Sequence, residues 1–171
     1  LWSEAEFAPT WYDRLPDESY VWHREMLSAA KQMDPWAHLT STHLNYYNAS
    51  PELWRLPEMD FVHATIWPGV NLPPTLRDAM DVYDGACRQY GKPYLIGEFG
   101  GHWGGSRPEV MARDLHTGLW RSIALNTAAT PMFWWWNFVH NRELYFEFKA
   151  LANFLDGEDL RGPERTSRTE I

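Results

Sequence analysis

Tyr94-Leu95-Ile96-Gly97-Glu98-Phe99-Gly100 is the stretch on which the reading of this chain turns. It is a short apolar run bounded by Pro93 and by a glycine-rich turn, Gly100-Gly101-His102-Trp103-Gly104-Gly105. Such a run is the pattern of a strand covered on both faces, as parallel strands are. Its one charge, Glu98, sits at the strand exit. A carboxylate there costs desolvation energy unless it is paired or used. No sequence-local cation stands beside it.

Working outward, strands alternate with helical patterns. Leu1 to Phe7 reads as a first strand and leads into a loop with Pro9, Pro16 and Asp17. Residues 18–33 read as a helix, with Trp22, Met26, Ala29 and Met33 on one face and Asp34-Pro35 as the stop. Residues 38–44 are β-like, and the loop after them, with Asn45, Asn48 and Pro51, allows at most one helical turn. Residues 60–67 form the next strand, ended by Pro68-Gly69. Thr75, with Asp78 three residues on, caps a long helix whose apolar face is Leu76, Met80, Tyr83, Cys87 and Tyr90. Beyond the glycine-rich turn, Ser106-x-x-Glu109 reads as a capping box for a helix running to about Leu125. Residues 131–138, with Trp134, Trp135 and Trp136, read as a strand. Residues 142–155 read as a final helix with Tyr145, Phe148, Ala152 and Leu155 inward.

This order predicts an α/β fold, a parallel sheet of about five strands with outer helices. Residues 1–156 form the domain and residues 157–171 a polar tail or linker. The net charge of −8 argues against a nucleic-acid partner, which needs clustered Lys and Arg. No apolar run is long enough to span a membrane. Cys87 is the one cysteine, expected as a small buried side chain. Leu1-Trp2 falls within an apolar segment, so the chain is expected to begin inside a longer protein. Eleven Trp, eight Tyr and eight Phe read, on composition alone, as a large core built from bulky side chains; the competing reading is a sugar site, where flat indole faces stack on the apolar faces of pyranose rings.

Parallel α/β folds place chemistry at the carboxyl ends of strands. Two exits carry a carboxylate in apolar surroundings: Glu4, in Leu1-Trp2-Ser3-Glu4, and Glu98. In a (β/α)8 barrel of about 31 residues per unit, their separation is about three units, which sets them across the barrel mouth. There, two carboxyls about 5–5.5 Å apart perform retaining glycoside hydrolysis. His43, His63 and His102 show no metal-ligand spacing, so neither a metal nor another cofactor is expected. His116 reads as structural and Glu6 as paired with an Arg. Asn48-Ala49-Ser50 fits a glycosylation acceptor but is followed by Pro51.

These motifs resemble clan A glycoside hydrolases, and within them the cellulase-like, family 5-type TIM barrels. Leu1-Trp2-Ser3-Glu4 is similar to the fourth-strand motif, Ile96-Gly97-Glu98-Phe99-Gly100 to the seventh, and Pro131 to Trp136 to the eighth. The resemblance spans essentially the whole chain. It implies the C-terminal half of the barrel, from the fourth strand onward, with the N-terminal half-barrel of the same protein as its partner. It implies a retaining hydrolase of a β-linked poly- or oligosaccharide, Glu4 as acid/base and Glu98 as nucleophile. Ser3, Trp67, His102, Trp103, Trp134 and Trp136 would bind substrate. Ser3 stands where the family has Asn, and Trp67 where it often has Tyr. The alternatives are a carbohydrate-binding pseudoenzyme without turnover and a purely structural α/β domain. An extracellular or periplasmic location is implied by the resemblance alone.

Overall fold

A computed structural model describes residues 17–45, 51–69, 72–125 and 127–158. Among these residues the chain forms six helices and two strands. They are α1 (Asp17–Met33), α2 (Pro51–Trp54), β1 (Val62–Ile66), α3 (Leu76–Arg88), β2 (Tyr94–Phe99), α4 (Pro108–Ala124), α5 (Trp136–Asn141) and α6 (Tyr145–Leu155).

The expectation of a partial TIM barrel with about five strands is not met. The one sheet among the described residues is the parallel pair β1–β2, and about half of those residues are helical. Flanking segments pair with it as isolated parallel bridges, Leu44 to Ala64, Tyr94 to Thr127 and Phe99 to Phe133, and form no further strand among the described residues. Local chemistry explains why they do not propagate. In residues 38–44, Thr40 Oγ1 donates to the Glu58 carbonyl and Ser41 Oγ to the Phe61 carbonyl. The Thr40 N–H donates to the Asp60 carboxylate. Side chains thus take places that a ladder would give to backbone groups. In the tryptophan segment the pairing with β2 is brief. Met132 and Trp134 do donate to the Ile96 and Phe99 carbonyls, and the chain then turns into α5. Trp136 therefore opens a helix, where a strand to Phe138 was expected. The expected first strand, Leu1 to Phe7, lies outside the described residues.

β1 and β2 run in register from Val62 opposite Tyr94 to Ala64 opposite Ile96, then slip so that Thr65 faces Glu98. Gly97 is the extra residue of this bulge. Their helix-side residues, Val62, Ala64, Ile66, Tyr94, Ile96 and Phe99, pack with Leu53 and Trp54 of α2 and with Leu76, Met80, Tyr83 and Cys87 of α3. Thr75 caps α3 by accepting the Asp78 N–H. Beneath this face, Tyr94 donates to Asp84 at 2.5 Å and Arg88 Nε to the same carboxylate at 2.7 Å. Burial pushes the Cys87 thiol up to about 12.

A second, smaller core joins Leu115 and Leu119 of α4, Val139 of α5 and Leu151 of α6. Phe133 touches both cores. Arg121 pairs with Asp81, tying α4 to α3, and His116 bonds Glu147 of α6 at 2.9 Å.

Two helix faces differ from their expected orientation. In α1, Ser19, His23 and Leu27 are buried, whereas Trp22, Met26 and Met33 are exposed. The His23 Nδ1–H donates to the Ser19 carbonyl at 2.7 Å, while its Nε2 is buried without a hydrogen-bond partner among the described residues. In the C-terminal part the helix expected from residue 142 begins at Tyr145, and α6 buries Leu151 while Tyr145 and Phe148 remain exposed. No helix among the described residues is long and apolar enough to cross a membrane.

Candidate functional site

Glu98 is the penultimate residue of β2 and is half-buried. Bulges re-aim side chains at strand ends, and this one sets Glu98 opposite Thr65. Thr65 is itself fixed: its hydroxyl lies 2.7 Å from the Asn45 carbonyl and 2.5 Å from Asn45 Oδ1.

At the bulge, the backbone of Gly97 passes close to two histidine rings. A Cβ there would lie 2.2 Å from His63 Nε2 and 3.2 Å from His43 Nε2. The two imidazoles stack, with centroids 4.5 Å apart and planes 29° from parallel. Burial holds the His43 ring down at about 4, with the neighbouring His63 charge adding to the effect. Burial lowers His63 as well. The pair is thus neutral at physiological pH, next to the residue preceding Glu98. Its members are 20 residues apart in sequence. The signal was the parallel register itself, which sets His43 beside His63 once Leu44 pairs with Ala64.

After Glu98 the chain enters a tightly bonded turn. Trp135 Nε1–H donates to the Gly100 carbonyl at 2.7 Å, and Gly101 N–H to the buried Asp114 carboxylate of α4 at 3.0 Å. His102 N–H donates to Ser106 Oγ at 2.9 Å. The expected Ser106-x-x-Glu109 capping box is therefore absent: the hydroxyl serves the turn, and α4 starts at Arg107-Pro108 with no side-chain cap. Gly101 has φ +64°, and a Cβ on it would meet Ser106 Oγ at 2.7 Å.

His102 and Trp103 are both exposed on this turn, Trp103 by 62%. Trp134 is 48% and Trp136 75% exposed. Trp136 also lines an open apolar groove of about 780 Å³ with Met132, Phe133, Val139, Tyr145 and Phe148, to which Glu98 does not contribute. Trp67 is 6% exposed and has little face to offer a ligand. Glu4 and Ser3 lie outside the described residues. No group of three His, Cys, Asp or Glu side chains is gathered for a metal among the described residues. Asp114, which anchors the turn from α4, carried no sequence signal, whereas Trp135 stood among the tryptophans expected as a sugar platform and anchors the turn instead.

No protein family, curated protein or solved structure matches this chain.

Proposed function

We propose that this chain acts on carbohydrate, as the nucleophile-bearing part of a retaining glycoside hydrolase for a β-linked glycan. The observation that carries this reading is Glu98. It stands on a bulged parallel strand end, joined to a bonded turn that exposes His102 and Trp103. Exposed Trp134 and Trp136 add indole surface in the segment that hydrogen-bonds to β2. In the proposed reaction Glu98 attacks the anomeric carbon as Glu4 gives its proton to the departing glycosidic oxygen. The resulting glycosyl ester on Glu98 is opened by water, whose proton returns to Glu4.

The test is incubation with 2-deoxy-2-fluoro aryl β-glycosides of glucose, mannose and xylose, followed by peptide mass spectrometry. One fluorosugar on the peptide containing Glu98 is expected, together with loss of aryl glycoside turnover by orders of magnitude in Glu98→Gln. Turnover undiminished in Glu98→Gln refutes the assignment. Glycan binding with neither label nor turnover turns the reading to a binding protein without catalysis.

A further inference from the structure

The turn after Glu98 does more than end a strand. A backbone N–H can only donate, and Gly104 N–H points at His102 Nδ1 at 3.1 Å. Nδ1 is therefore the lone-pair nitrogen, and the neutral ring carries its proton on Nε2. The Gly105 N–H closes onto the His102 carbonyl at 2.8 Å, and the His102 N–H onto Ser106 Oγ. Ring and backbone are thus both set before any ligand arrives. The Trp103 indole sits beside the imidazole, with centroids 5.4 Å apart and planes inclined at 37°. Both rings are exposed. The turn is anchored at its base by two groups from other elements, Asp114 on α4 and Trp135 before α5.

We propose that His102 and Trp103 form a preset subsite for one neutral pyranose unit of a glycan, with Asp114 as its positioning residue. The indole face takes the apolar C–H face of the ring. The His102 Nε2–H donates to a ring hydroxyl or bridging oxygen. Neither partner carries charge in this arrangement, which suits an uncharged sugar. Asp114 touches no ligand and acts by holding the Gly101 amide, so that the turn binds without first being ordered. This inference rests on the carbohydrate reading above and adds where a sugar unit binds outside the reacting carboxylate.

The experiment is calorimetric titration of the full chain with β-1,4-linked hexasaccharides of glucose, mannose and xylose, alongside steady-state kinetics on whichever binds. Trp103→Ala is expected to weaken binding about tenfold to a hundredfold, the loss of one buried large side chain. His102→Ala is expected to cost about twofold to tenfold, one neutral hydrogen bond. Both should raise KM and leave kcat unchanged, as loss of uniform binding does. Asp114→Ala should weaken binding like His102→Ala and speed exchange of the Gly101 amide, whereas Asp114→Asn, which keeps an acceptor oxygen, restores both. Should Asp114→Ala fail to fold, the Asp114→Asn and Trp103→Ala results decide. Fluorosugar labelling at Glu98 with hexasaccharide affinity unchanged in Trp103→Ala overturns the subsite and leaves the hydrolase reading standing. Trp103-dependent binding without labelling of Glu98 supports the subsite and removes the hydrolase. Absence of binding by all three hexasaccharides overturns the subsite.

Discussion

Gly97→Ala tests the packing that sets Glu98. Gly97 is not among the glycines with positive φ, so alanine meets no backbone penalty there. The added methyl would sit 2.2 Å from His63 Nε2 and 2.8 Å from its Cδ2. The ring cannot simply swing aside, because it stacks on His43 and lies 6.0 Å from the Phe61 ring. Overpacking of this kind costs about 1–3 kcal/mol. The stiffer unfolded chain returns about 0.4–1 kcal/mol. Taken at their midpoints, about 2 and about 0.7 kcal/mol, these leave a net destabilisation of about 1.3 kcal/mol, which in a chain of 171 residues lowers Tm by about 3–5 °C. Urea and thermal denaturation followed by circular dichroism measure it. His63→Ala combined with Gly97→Ala should remove the clash, leaving the double variant no less stable than His63→Ala alone. Gly97→Ala as stable as the parent, or strictly additive losses in the double variant, would refute the steric account.

Two further outcomes follow from the same geometry. His43 is held at about 4 in the fold and titrates near 6.5 when unfolded, so the unfolded chain binds more protons between those values. Stability is therefore full above about pH 6.5 and falls as the pH drops towards 4; His43→Gln should flatten that slope in urea melts across the range, and an unchanged slope would remove His43 as its source. Asp84→Ala strands the buried Tyr94 hydroxyl and should cost about 1–3 kcal/mol in the same melts, while a loss below about 0.5 kcal/mol, typical of surface substitutions, would show that the hydroxyl finds another partner.

The sequence carried two of the five expected strands, and most helices, because each of these has its own period or its own stop. Val62–Ile66 and Tyr94–Phe99 are short apolar runs between proline and glycine, and Thr75 announces α3 by a cap that forms. What failed was decided by competition between neighbours. Three consecutive tryptophans suit a buried strand or a helix end equally, and the chain leaves β2 after Trp134 to enter α5 at Trp136. The apolar spacing of Trp22, Met26 and Met33 located α1 but not its inner side, since Ser19 and His23 are buried there and bonded to each other through His23 Nδ1. Ser106 had two possible duties, and the choice depended on a turn that folds back to it. At the candidate site, Glu98 was legible as a carboxylate at the end of an apolar run with no cation beside it in the sequence. The imidazole stack under Gly97 and the Asp114 anchor were not, because both arise only when separate segments meet.

The strand bearing Glu98 continues into Phe99, whose ring is lodged in a notch of α4 where a Cβ on Gly118 would fall 2.1 Å from ring carbon Cε2. The helix and the strand end therefore behave as parts of one mechanical joint. A methyl group introduced on the hidden side of α4 would be transmitted through that ring to the neighbouring carboxylate. Random mutagenesis screened for lost function should accordingly recover position 118, remote in sequence from the rim, alongside the residues that face solvent there.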